Sequence, residues 1–373
     1  MNNKTNTKNN FYLSLELLRG LCALEVVLWH CFARIDDVFL RISPTFKFVY
    51  HAFLRGSDIA IIGFFVLSGF VTTASFIKYF NKYNIAKAVT IFYAARMLRI
   101  WSLTFITVLV SVGISWHYRT MSGNWSAWEK YDHFDLSNII GGMFGLNPHW
   151  NAPMWTLTYE LAFYSILPFF MLAILRTNYL IKAISLVITG FLTFFLLKSE
   201  IVPLPHLVTP FLFGIAIYFI RDLSYLRIFF TSNLNKILFF AVAVTSVIYV
   251  SWEYLPQNPY NIKKYFLVTL VVLGLVFSES FFIKYKETKV IKMLTGLSMC
   301  SYSLYLWHYV ILWFTGMYMF GSMNARSTTE IFVLFSIAVP TIILVTWMSW
   351  YFIERNAKMK RILPLFEKKS AKS

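Results

Sequence analysis

The sequence predicts an all-α fold: a polytopic membrane bundle of about ten transmembrane helices with both termini in the cytoplasm. Three observations lead there. The first is composition. Of 373 residues, 58% are hydrophobic, 19% aromatic and 14% charged, where a soluble domain carries about 25% charged residues. Too little polar surface remains to cover a water-facing globule, and the same figures exclude a disordered chain or a disulfide scaffold. The second is a series of continuous apolar runs near 20 residues long, the length that crosses a bilayer as a helix. The third is the distribution of Lys and Arg along the chain.

The runs lie at roughly 13–33, 58–77, 98–117, 154–175, 179–198, 207–221, 236–252, 265–283, 298–320 and 331–353. The sixth is short and opens on Pro203, Pro205 and Pro210. Barrel strands need alternation over about 10 residues, and these runs do not alternate. With the N-terminus inside, 23 of the 34 Lys and Arg fall in inner segments, including Lys284, Lys286, Lys289, Lys292 and seven in the tail from Arg355 to Lys372. The positive-inside rule thus selects this orientation. The chain divides into a cytoplasmic tail (1–12), a transmembrane domain (13–353) and a basic cytoplasmic tail (354–373). The outer segment 118–153 is long enough for a lid. Cys22, Cys31 and Cys300 are odd in number and lie within spans, so no disulfide framework is expected. The formal charge of +17 is spread over loops. It suits anionic inner-leaflet lipids and gives no support for nucleic-acid binding.

Ionisable groups inside a span cost about 2.5–3.5 kcal/mol each on the insertion scale, and mark functional sites by default. The first span carries Glu16, Arg19, Glu25 and His30. Arg19 and His30 are eleven residues apart, which on a helix returns to within about 20° of one face and separates them by about 16 Å. Arg19 faces the cytoplasmic half and His30 the outer half, as in the wall of a polar passage. The plainer alternative is that Arg19 pairs with Glu16 at i, i+3 and His30 makes a structural contact. Arg96 and Arg99 open the third span one turn apart, where two guanidiniums can grip phosphates or simply anchor the helix. Glu160 lies two turns into the fourth span, near the depth of His30, and could orient an imidazole or hold Tyr164. Ser68 and His308 lie near mid-membrane. Gly63 and Gly69 suit close helix packing. The seven histidines show no metal-ligand spacing, so no metal is expected.

Five segments in order resemble the acyltransferase 3 family of integral membrane acyltransferases. They are Leu17-Leu18-Arg19-Gly20 leading to His30, Gly63-Phe64-Phe65-Val66-Leu67-Ser68-Gly69-Phe70, Arg96-Met97-Leu98-Arg99, Trp155-Thr156-Leu157-Thr158-Tyr159-Glu160 with Phe163-Tyr164, and Ser301-Tyr302-Ser303-Leu304-Tyr305-Leu306-Trp307-His308. Leu161 stands where many members carry a second acidic residue. The resemblance implies O-acyl transfer, most often of acetyl from cytoplasmic acyl-CoA, to a hydroxyl of a cell-surface or lipid-linked glycan. It implies a multi-pass protein of the bacterial inner membrane. His30, Glu160 and Arg19 are then the expected catalytic residues, and Arg96 and Arg99 the expected acyl-CoA phosphate ligands. Ser68, Tyr164, Trp155, Tyr302 and His308 are expected along the substrate path. Direct attack and an acyl-His intermediate both remain open. A glycan or lipid transporter is the competing class, disfavoured by the absence of repeat symmetry.

Overall fold

The computed structural model describes residues 12–35, 57–122, 135–175, 178, 182, 184–190, 204–253, 262–322 and 324–357. Most of both terminal tails and residues 123–134 of the expected lid lie outside these residues. Every regular element among the described residues is helical. In chain order they are α1 (Leu13–Phe32), α2 (Ser57–Phe80), α3 (Ile85–Ser122), α4 (Leu136–Met143), a 3-10 turn (Ala152–Met154), α5 (Trp155–Ile174), α6 (Leu204–Ile220), α7 (Ser224–Phe229), α8 (Asn233–Glu253), α9 (Ile262–Phe277), α10 (Glu279–Lys284), α11 (Lys289–Met299), α12 (Ser301–Phe320) and α13 (Thr328–Ser349), which ends in a π turn, Trp350–Glu354. Residues 184–190 are also helical.

Among the described residues, four helices are long and apolar enough to cross a membrane: Asp58–Phe80, Ile85–Met121, Ala152–Ile174 and Thr328–Glu354. On the last of these, Phe332, Ile343, Trp347 and Phe352 point outward and are well exposed. A continuous apolar face of that kind is made for lipid rather than water. Helices α1 and α12 are 20 residues long, about 30 Å, yet are less apolar. Charges on α1, and tyrosines, tryptophans and a histidine on α12, lower their hydropathy because these helices line the interior.

The apolar runs and the helices differ at four places. The run 98–117 is the middle of the 38-residue α3, so Arg96 and Arg99 lie about three to four turns into that helix and do not open it. The run 265–283 breaks at Ser278, so that α9 has 16 residues and Glu279 turns aside. The run 298–320 breaks at Cys300, between α11 and α12. The run 207–221 corresponds to α6, which starts three residues earlier, ends at Ile220 and holds Pro210 in its interior. That helix lies tightly against α2. A Cβ at Gly69 would lie 2.1 Å from the Phe211 carbonyl oxygen, and one at Gly214 would lie 2.0 Å from that of Val66. Gly69 therefore serves the close approach expected of it.

Carboxylates from distant parts of the chain close helix ends. Glu279 accepts from the backbone N–H of Leu13 (2.6 Å) and Ser14 (3.0 Å) and from Ser14 Oγ (2.6 Å). Glu354 accepts from Ser303 N–H (3.2 Å) and Oγ (2.7 Å) at the start of α12. Each places negative charge on the unpaired N–H groups of a helix N-terminus. At the other end of the bundle, Lys264 pairs with Asp58 and Ala325 N–H donates to the Arg34 carbonyl (3.0 Å). The starts of α1 and α12 and the end of α13 thus share one end. The starts of α2, α9 and α13 and the end of α1 share the other.

Candidate active site

Helices α1, α2, α3, α5 and α12 enclose a cavity of about 90 Å³. Every described residue lining it comes from these five helices, which carry the five sequence segments singled out above. Its polar wall holds Arg19, Arg96 and Arg99, with Glu160 as its carboxylate, and Ser68 and Tyr302 beside them.

Each arginine is held differently. The Arg19 guanidinium donates to Glu16 (2.5 Å) and to the Ser298 carbonyl (3.1 Å), and Ser298 Oγ also donates to Glu16 (2.9 Å). The i, i+3 pairing and the cavity position are therefore both realised. Arg96 is buried, donates to Ser75 Oγ (2.9 Å), and lies over the Phe92 and Tyr164 rings. Arg99 has no ion-pair partner within 4 Å among the described residues and sits in the field of Glu160, Glu354 and Glu16. Two guanidiniums thus face one space without direct neutralisation, as anionic oxygens require.

Glu160 accepts from Ser68 Oγ (2.6 Å) and from the Tyr164 hydroxyl, both on Oε1. It is not the partner of His30. That partner is His308, whose Nε2 lies 3.2 Å from His30 Nδ1. The depth argument that paired His30 with Glu160 fails because the rotation of α5 turns Glu160 toward α2 and α3. Tyr164 is fully buried behind Glu160, and neither it nor Trp155 lines the cavity. Trp155 packs its ring edgewise on Tyr159. Tyr302 lines the cavity and donates to the Ile100 carbonyl (3.0 Å).

The histidine pair fixes its own proton positions. A carbonyl oxygen only accepts, so a ring nitrogen facing one carries the proton. His308 Nδ1 lies 3.0 Å from the Leu304 carbonyl, and His30 Nδ1 lies 2.9 Å from that of Val26. With both rings neutral, each is the Nδ1–H tautomer. His30 Nδ1–H is then shared between Val26 O and the lone pair of His308 Nε2. His30 Nε2 keeps its own lone pair and has no hydrogen-bond partner among the described residues. Neither imidazole lines the cavity. Tyr305 stands between them and it. Its ring is in the cavity wall, 6.0 Å from the His308 ring, and its hydroxyl donates to the Pro153 carbonyl (2.8 Å) and contacts Thr156 Oγ1 (2.9 Å).

Several of these residues escaped the sequence reading. Tyr305 lies inside a quoted segment but has no polar signal to separate it from its neighbours. Glu279 and Glu354 are carboxylates at the ends of apolar runs, a pattern that could have marked them as helix caps.

Neither a curated protein nor a solved structure matches the chain. A family model for an acyltransferase domain matches residues 12–350, nearly the whole chain and all five cavity-forming helices. With its apolar, outward-facing helices, the chain belongs to the acyltransferase 3 family of integral membrane acyl-transferring enzymes.

Proposed function

We propose that this protein moves an acyl group, most often acetyl, from cytoplasmic acyl-CoA to a hydroxyl of a cell-surface or lipid-linked glycan at the outer face. In this reading it sits in the bacterial inner membrane with both termini in the cytoplasm. The observation that carries the proposal is one cavity among the described residues, where three guanidiniums meet one carboxylate.

Arg96 and Arg99 take the CoA phosphates, while Arg19, held by Glu16 and the Ser298 carbonyl, carries positive charge along the route of the pantetheine arm. Glu160 holds Ser68 and Tyr164 in place and balances part of the arginine charge. The thioester passes the Tyr305 ring to reach the histidines. His30 Nε2, left as the basic nitrogen by its tautomer, takes the proton of the acceptor hydroxyl. The hydroxyl oxygen attacks the thioester carbonyl and forms the ester bond. The carbon–sulfur bond breaks, and the departing CoA thiolate takes the proton back from His30. His308 acts through His30, as a positioning residue.

The test is thiol release from acetyl-CoA by purified protein in liposomes supplied with acceptor from the parent membranes. Release by the wild type and loss of it in His30→Ala support the reading. Equal rates in the two proteins exclude it.

A further inference from the structure

Arg34 plays no part in the proposed route, yet it is a buried cation beside His30. It follows α1 by two residues, is 8% exposed, and is fixed through its backbone: its N–H donates to the Cys31 carbonyl and its carbonyl accepts from Ala325 N–H. Its guanidinium lies 5.2 Å from the centre of the Tyr309 ring, and His30 packs edgewise on that same ring at 5.0 Å. Its charge acts on both His30 and His308.

Arg19 has Glu16 and the buried Lys264 has Asp58, while Arg96, which is as buried as Arg34, lines the donor-side cavity and donates to the Ser75 hydroxyl. Arg34 has no carboxylate within 4 Å among the described residues. Its guanidinium donates to a neutral amide, Asn324 Oδ1, at 3.3 Å, and its Nε is buried without a partner among the described residues. A buried charge is retained where something neutralises it, and a guanidinium offers a planar fork that matches a carboxylate or phosphate. The Arg34 fork and the His30 base share one aromatic wall, at the opposite end of α1 from Arg19 and its Ser298 contact.

We infer that Arg34 binds an oxyanion group of the acceptor, a sugar carboxylate or a phosphodiester, and so selects an anionic acceptor for His30. This rests on the reading of His30 as the reactive base. It makes Arg34 a specificity-determining residue on the acceptor side, separate from the donor-side arginines 96 and 99.

The test needs neither the acceptor nor acyl-CoA. The full chain in nanodiscs is treated with diethyl pyrocarbonate, and carbethoxylation of His30 is followed by peptide mass spectrometry. Probes are glucuronate, dimethyl phosphate and, as the neutral control, glucose. We expect at least one anion to slow His30 modification about fivefold or more in the wild type. That protection falls below twofold in Arg34→Gln and is partly kept in Arg34→Lys, whose retained charge also guards against a folding artefact. Protection by glucuronate assigns an acidic sugar; protection by dimethyl phosphate assigns a phosphodiester. Equal protection in Arg34→Gln, equal protection by glucose, or none by either anion overturns the inference. Because no acyl-CoA is present, a failure of acyl transfer itself shows separately, as absent thiol release.

Discussion

Replacing His308 by Ala tests the histidine pair directly. The substitution removes the 3.2 Å acceptor for His30 Nδ1–H and leaves the Val26 carbonyl at 2.9 Å as the remaining one. A neutral hydrogen bond of this type contributes about 0.5–1.5 kcal/mol net. At about 1.4 kcal/mol per tenfold, kcat should fall roughly two- to tenfold through loss of ring orientation. His308 does not line the cavity, so KM for acyl-CoA should not change. His308→Gln places an amide oxygen near the lost Nε2 and should recover part of kcat. The assay is steady-state thiol release from acetyl-CoA by liposome-reconstituted protein, with thermal unfolding in detergent as the folding control. The imidazole is fully buried, so both variants lose some stability; a purely structural role would lower activity in step with that loss. An Ala variant with wild-type kcat refutes the reasoning. So does a rise in KM for acyl-CoA, or a Gln variant no better than Ala despite equal folding.

Other predictions follow from the same geometry. Arg99→Ala removes a guanidinium with no ion-pair partner among the described residues. At about 1.5–3 kcal/mol per charge-assisted bond, KM for acyl-CoA should rise ~10–150-fold, with a smaller effect on KM for the acceptor; an unchanged acyl-CoA KM removes Arg99 from the phosphate site. Gly69→Ala sets a methyl against the Phe211 carbonyl, a backbone atom that cannot swing aside. Overpacking of this kind costs about 1–3 kcal/mol or more, and a melting temperature equal to wild type contradicts the tight α2–α6 crossing. Glu354→Gln removes the charge that caps α12 and faces Arg99. It should cost about 1–2 kcal/mol of stability, read as a lower unfolding temperature, and no loss argues against the cap.

The order of the cavity-forming helices was legible in the sequence because five motif segments fall on five helices. Continuous apolar runs also located most helices. They misplaced helix ends at Ser278 and Cys300, where a distant partner or a local break decides and hydropathy is blind. Glu279, for example, leaves α9 to reach the start of α1. Arg19, Arg96, Arg99, Ser68, Glu160 and Tyr302 do come together around one space. The partner of His30 was not legible. Depth along the membrane normal places Glu160 near His30 and His308 near mid-membrane, whereas the packing of α1 against α12 brings His308 to His30 and the rotation of α5 turns Glu160 away. Tyr164 and Trp155 missed the cavity for the same reason: a helix puts neighbouring residues about 100° apart, and a linear motif does not say which of its faces points inward.

The central claim is that His30 performs acyl transfer from acyl-CoA bound at the arginine-lined cavity. Its most direct test is the rate of CoA thiol release from acetyl-CoA by reconstituted wild-type and His30→Ala protein, with parent-membrane acceptor present. The account predicts sustained acceptor-dependent release by the wild type and a loss of at least a hundredfold in the variant, on the order of what one positioned proton-transfer group supplies. Release at the wild-type rate by His30→Ala would contradict it.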